Sequence, residues 1–357
     1  MFENYTFEYL MEKMLSNAPN DMDKRQGSVI YDMLAPAALE MSELYQALDM
    51  VLNEGFADTA SYYYLLKRGA ERGIKIQEAT SAIWKCVIYP ESVELNTGQR
   101  FSNGEFNFFI TEKISDGIYK LQCEITGISG NNTESNLIPL DYVEGLESVS
   151  LVELLVPGEE EESEEDYRER YYGSINAQTF GGNVADYKKW TEEMQGVGAV
   201  KIHPVWNGGG TVKVVVMNSE YEKPSEELIS SIQTALDPIQ NSGDGIGIAP
   251  IGHKVTVVGV EESKINVNTK LTFKSGYDFE GIKSSLESAL ENYLQTLRES
   301  WKSVDLIVVR ISQIENAFLQ VDGVLDIAKT QINSEEENLI LPTDMIPVRG
   351  EISERIS

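Results

Sequence analysis

Seven carboxylates stand within eight positions, Glu159–Glu162 and Glu164–Asp166, interrupted by Ser163 and preceded by Pro157 and Gly158. Hard cations bind through several carboxylate oxygens, and paired acids can drive hydrolysis, so this tract is the first place to look for chemistry. It lacks the Asp/Asn alternation and central glycine of a calcium loop. Nothing local holds two of its acids in the differing environments that an acid/base pair needs. A run of like charges repels itself and stays extended in water, so Pro157, Gly158, Glu162, Ser163 and Glu165, followed by Arg168 and Arg170, read as a solvated joint between modules.

The other reactive residue types are sparse. The glycines of Ser242–Pro250 suggest a phosphate loop, but a dinucleotide fingerprint leaves a strand and opens a helix, whereas this run follows a helix and enters a strand. Asn207–Gly210 falls between two strand patterns, where glycine supplies the positive φ of a hairpin turn. The two cysteines, Cys86 and Cys123, lie in strand-like runs and read as a reduced, buried pair. The two histidines, His203 and His253, stand fifty positions apart beside strand patterns and read as packed or surface residues. No metal, cofactor or catalytic residue is expected.

The elements that would position these residues change character along the chain. From Asp32 to Phe56 the residues Leu34, Ala37, Ala38, Met41, Leu44, Tyr45, Leu48, Val51 and Leu52 recur at helical spacing and form one apolar stripe. Pro36 is expected near the start of that helix, where its missing N–H is harmless. A second helix is predicted over about 58–72, ending at Gly73. From Ile83 to Val156 the period falls to two, which predicts a small β-domain. Beyond the acidic tract helices and strands alternate: helix 183–195, strands 199–206 and 211–217, helix 225–237, then a strand-rich 253–274. A second round follows with helix 279–298, strand 305–310, helix 311–321, strand 323–332 and a last strand near 338–341. A faint repeat between the rounds suggests two split βαβ modules of ferredoxin-like type. The expected fold is α+β and multidomain: a helical arm at 1–82, a β-domain at 83–156, the acidic joint and start of a helix at 157–182, α/β modules at 183–260 and 261–348, and a tail at 349–357.

Composition narrows the partners. The 357 residues are 41% hydrophobic, enough for two to four buried cores at roughly 100–200 residues per domain. A net charge of −29 repels nucleic-acid phosphates and anionic membranes, so partners are expected to be proteins. The N-terminal residues carry no secretory pattern and no run spans a bilayer, which predicts a protein made in the cytosol.

Arg25, Gly27, Ser28, Asp32, Leu34, Ala35 and Pro36 are followed in order by Phe56, Ala57, Thr59, Ala60, Leu65, Gly73, Ala79 and Thr80. In these ordered motifs the chain resembles the baseplate J-like family of contractile phage tails and phage-tail-like particles. The resemblance continues through Glu162, Ser163, Glu164, Glu165, Arg168, Arg170, Asp186 and Tyr187. Glu164 stands where the family usually has aspartate, and Glu159–Glu161 lengthen the acidic lead-in.

The resemblance implies a structural baseplate wedge component. It would link neighbouring wedges into a ring around the hub and help trigger sheath contraction, after assembly in the bacterial cytoplasm. Implied partners are other copies of the chain, a partner wedge protein, and sheath-initiating and hub-proximal baseplate proteins, without nucleic acid or membrane. The arm residues Met41, Leu44, Tyr45, Leu48, Val51 and Leu52 are the expected partner-binding set. An intramolecular alternative folds that stripe back on the helix carrying Tyr62, Leu65 and Leu66. Two readings from other classes stay open: a metal-dependent hydrolase using the Glu159–Asp166 cluster, and a soluble acidic adaptor.

Overall fold

The computed structural model describes residues 2–176 and 181–355. The chain divides into two compact units, and both are discontinuous in sequence: Met1–Glu78 with Glu162–Ala177 form the first, Ala79–Glu161 with Gln178–Ser357 the second.

In the first unit α1 (Phe7–Asn17) starts where the Thr6 hydroxyl accepts the Tyr9 N–H, and α2 (Val29–Glu54) where Ser28 accepts the Tyr31 N–H. Pro36 therefore lies inside α2 rather than at its start, and the Asp32 carbonyl loses its i+4 donor. The two helices pair through Leu10, Met11 and Ala38, with Tyr31, Leu34 and Tyr45 around them. The Tyr5 and Tyr45 rings stack at 4.1 Å between centroids. A separate cluster joins α3 (Tyr62–Glu71) to α4 (Glu164–Asn176), where Leu65 is buried with Ala57, Ala60, Tyr167 and Tyr171. Gly69 is what admits Tyr167, because a Cβ there would lie 1.7 Å from the phenol oxygen.

The second unit opens with a closed barrel of β1 (Ser81–Tyr89), β2 (Arg100–Ser102), β3 (Asn107–Ser115), β4 (Ile118–Thr126), β5 (Asn136–Pro139) and β6 (Ser148–Val156), in the order β1-β4-β3-β2-β5-β6. Alternation along the strands turns Cys86, Ile88, Phe101, Phe108, Ile110, Tyr119, Leu121 and Leu151 inward, and closure leaves no free edge.

The second half of this unit begins with α5 (Val184–Glu192), β7 (Val197–Pro204), β8 (Thr211–Asn218), α6 (Glu226–Leu236) and β9 (Lys254–Gly259). Its sheet runs β7-β8-β9, the first pair antiparallel and the second parallel. After buried Val260 the chain changes sheets into β10 (Glu261–Phe273), followed by α7 (Phe279–Ser300), β11 (Val308–Val309), α8 (Ile311–Leu319), β12 (Val324–Ile332), β13 (Leu339–Ile340) and β14 (Met345–Glu354). The main sheet here is β12-β10-β14. Each of these two sheets has three strands, one fewer than a ferredoxin-like module. Residues 349–354, expected in a tail, continue β14, whose Ile346 and Ile352 are buried beside β10. Pro347 and Gly350 mask that strand's alternation in the sequence.

One apolar core spans both α/β sheets: Ala199, Val215 and Met217 of β7 and β8 with Ile265 of β10, Leu290 and Leu294 of α7 and Trp301 just beyond it. Among the described residues no helix is long and apolar enough to cross a membrane.

Candidate functional site

The arm stripe divides between two faces of α2. Ala38 and Ser42 are buried toward α1 and Tyr45 is half-buried there. Met41, Leu44, Leu48, Val51 and Leu52 are exposed, Leu44 at 62% and Val51 at 67% of their surface. The alternative fold-back onto Tyr62, Leu65 and Leu66 is not what the structure has. α2 packs on α1, which the sequence reading did not separate from the arm, and Leu65 is occupied by Tyr167 and Tyr171.

The acidic joint departs from the expected solvated hinge at Pro157–Glu159 and Glu162, which are buried or half-buried. Pro157 and Gly158 are buried, and the Asn131 amide brackets Gly158, accepting its N–H at 2.7 Å and donating to its carbonyl at 2.9 Å. The Glu159 N–H donates to the Thr80 hydroxyl at 3.0 Å, and the Glu159 carbonyl accepts the Thr80 N–H at 2.8 Å. The Glu159 carboxylate accepts the Gly196 N–H at 3.0 Å. Burial pushes its carboxyl above the ordinary value, against the lowering effect of that N–H. Glu160 accepts the Ile128 N–H at 3.1 Å.

Across the boundary into the first unit, the Glu162 N–H donates to the Gln77 carbonyl at 3.0 Å, and the Arg170 guanidinium grips the Glu162 carboxylate through two bonds of 2.6 Å. Arg170 also donates to the Lys75 carbonyl at 2.6 Å. Ser163 caps α4, its oxygen accepting the Asp166 N–H at 3.2 Å while its hydroxyl donates to the Asp166 carboxylate at 2.5 Å. Arg168 pairs with Glu164 at 2.7 Å and donates to the carbonyls of Ala57 and Ala60. Glu160, Glu161, Ser163, Glu164, Glu165 and Asp166 stay exposed.

The tract is thus a seam of backbone and side-chain bonds, with Glu159, Glu160, Glu162, Glu164 and Asp166 each engaged by a donor. The hydrolase alternative would have to free Glu162 from Arg170 and Asp166 from Ser163. Among the described residues no group of three or more His, Cys, Asp or Glu side chains is arranged to hold a metal ion.

The histidines sit in polar pairs that sequence reasoning missed. The His203 ring lies 2.7 Å from one Asp344 oxygen, and Lys213 donates to the other at 2.5 Å. Burial works to raise the Asp344 carboxyl, but Lys213 and His203 outweigh it and hold the group below its ordinary value. With Pro204 and Trp206 these residues line an open cleft of about 520 Å³. The Tyr187 hydroxyl and the His253 Nδ1 are hydrogen-bonded at 2.8 Å. Asp344 lies more than a hundred residues from its partners, so no local pattern announces it.

The Baseplate J-like central domain profile matches residues 179–259, and that of the Baseplate J-like protein C-terminal domain matches residues 265–354. The Phage-like element PBSX protein XkdT of Bacillus subtilis (strain 168) is 38% identical over 354 residues, covering 99% of this chain and 98% of its own. The Baseplate protein gp47 of Escherichia phage Mu is 32% identical over 124 residues, 33% of this chain and 31% of that one. A chain of the 6-fold symmetrised cryo-EM structure of the anti-feeding prophage baseplate aligns with a TM-score of 0.43 and 11% identity, over 98% of this chain and 100% of that one. With both domain profiles matched in order and near-complete overlap with a relative at 38% identity, the chain belongs to the baseplate J-like family.

Proposed function

We propose that the chain is a structural wedge component in the baseplate of a contractile tail or phage-tail-like particle, joining neighbouring wedges into a ring and helping to trigger sheath contraction. Its partners are other copies of itself, a partner wedge protein, and sheath-initiating and hub-proximal baseplate proteins. Family membership supports the baseplate setting. The observation that carries the assembly role is the bare face of α2, where Ala37, Met41, Leu44, Leu48 and Val51 follow one another at four, three, four and three residues. That spacing is a heptad seam, which buries itself against another helix, and it points away from the Ala38–Ser42 face already used by α1.

The test is Leu44→Glu with Leu48→Glu. Both side chains are exposed in the isolated chain, so its melting should not change. Two carboxylates in a helix seam should weaken association by several kcal/mol, or roughly a hundredfold or more. The double variant is expected to stay folded, fail to co-purify with the neighbouring wedge subunit, and give particles without a complete baseplate. Wild-type assembly by the variant would move the interface elsewhere. Loss of the fold would make the stripe a core.

A further inference from the structure

No covalent segment joins the barrel directly to the α/β pair. The barrel residues 79–161 leave the first unit after Glu78 and return to it at Glu162, and the α/β residues begin only after Ala177. The barrel is therefore inserted into the helical unit, and it meets the α/β pair through non-covalent contacts alone.

Those contacts are of a different kind from the ones within the α/β pair. Lys120 on β4 donates to the Glu227 carboxylate at the start of α6 at 2.7 Å and also pairs with Glu112 at 3.0 Å. The Ser225 hydroxyl donates to the Leu155 carbonyl at 2.6 Å, the Gln195 amide to the Ser81 carbonyl at 3.3 Å, and the Gly196 N–H to Glu159 at 3.0 Å. Val156 approaches Gly196 closely enough that a Cβ there would lie 2.9 Å from the valine methyl. The barrel core and the core around Tyr187, Val214 and Ile232 share no buried residue. The two α/β sheets, in contrast, share one continuous core, reinforced by Lys201 donating to the carbonyls of Val304, Asp305 and Thr343.

We propose that the barrel is a rigid part that undocks from the fused α/β pair along this polar seam, the Lys120–Glu227, Gln195–Ser81 and Glu159–Gly196 contacts acting as its latch. Polar inter-domain contacts exchange for water at little cost, whereas parting a shared apolar core exposes it; the seam is where the second unit yields. Both bodies keep their cores when it opens, so the motion needs no unfolding.

The test places spin labels on exposed positions of the full-length chain, one pair through Glu105→Cys and Ser230→Cys across the seam, and a control pair through Ser230→Cys and Ser285→Cys within the α/β pair. Cys86 and Cys123 are buried and take no label. Distances are read by pulsed electron resonance with the latch intact and with Glu227→Lys and Gln195→Ala, while amide exchange in the barrel and α/β strands reports whether each body is folded. The expected result is a broadened or lengthened 105–230 distribution in the latch variant, an unchanged 230–285 distribution and protected strands. An unchanged 105–230 distribution overturns the proposal. So does broadening of both pairs or loss of strand protection, because the barrel and α/β pair would then be one cooperative body.

Discussion

Replacing Arg170 with alanine removes the guanidinium that holds Glu162 through two bonds of 2.6 Å, along with its bond to the Lys75 carbonyl. The Glu162 side chain is 4% exposed and the Arg170 side chain 28%. Breaking a fully buried pair from one side costs about 3–5 kcal/mol, and the partial exposure of Arg170 lets water replace some of the loss, so roughly 2–3 kcal/mol is expected. The damage should fall on the first unit, where Glu162 also accepts the Gln77 N–H at 3.2 Å. Hydrogen exchange over α3 and α4 should then accelerate roughly 30- to 150-fold. The four tryptophans, Trp84, Trp190, Trp206 and Trp301, all belong to the second unit, so their fluorescence melt is an internal control and should hold steady. Glu162→Gln in the same background removes the stranded charge and should recover most of the loss. If Arg170→Ala changes exchange by less than threefold, or Glu162→Gln gives no recovery, the pair does not hold the segment as reasoned.

Gly69→Ala should destabilise α3 and α4 by about 1–3 kcal/mol through collision with Tyr167, where the same change on an open helix face would stabilise by up to ~1 kcal/mol; faster exchange in both helices checks the sign. Glu159 has its carboxyl raised by burial, so the stability tied to its neutral form is present below the ordinary carboxylate value of 4.5 and is lost as pH rises through the raised value. Glu159→Gln keeps an acceptor for the Gly196 N–H without the charge; it should melt higher than the parent near neutral pH, with the gap narrowing on acidification, and a lower melt at neutral pH would contradict this. Burial pushes the Cys86 thiol up to about 12 and also raises Cys123, so a thiol reagent should label neither in the native chain and both after denaturation.

The sequence makes local periodicity visible and conceals distant partners. α2 is legible because Leu34, Ala38, Met41 and Tyr45 repeat at three and four, and α7 because Ile282, Leu286, Leu290 and Leu294 recur every four. Which part of a stripe is covered is another matter: Ala38 faces α1 and Leu44 does not, a choice made by a helix near the N-terminus. The acidic tract misled for the same reason. Its charges are local, but the backbone N–H groups that bind them, those of Gln77, Ile128 and Gly196, are scattered over more than a hundred residues. The barrel's strands are readable as alternation, while closure through the pairing of β1 with β6 depends on residues some seventy positions apart.

The interrupted helical unit also sets an order of events at the ribosome. The face of α3 around Leu65 is made early, but the Tyr167 and Tyr171 that cover it are about a hundred residues downstream. At roughly 5–20 residues per second the face stays open for about 5–20 s, time in which the intervening barrel, complete in itself, can fold first. The nascent chain therefore has time to close its barrel before the cluster around Leu65, and a product ending between the barrel and α4 would carry a finished barrel beside an uncovered, aggregation-prone α3.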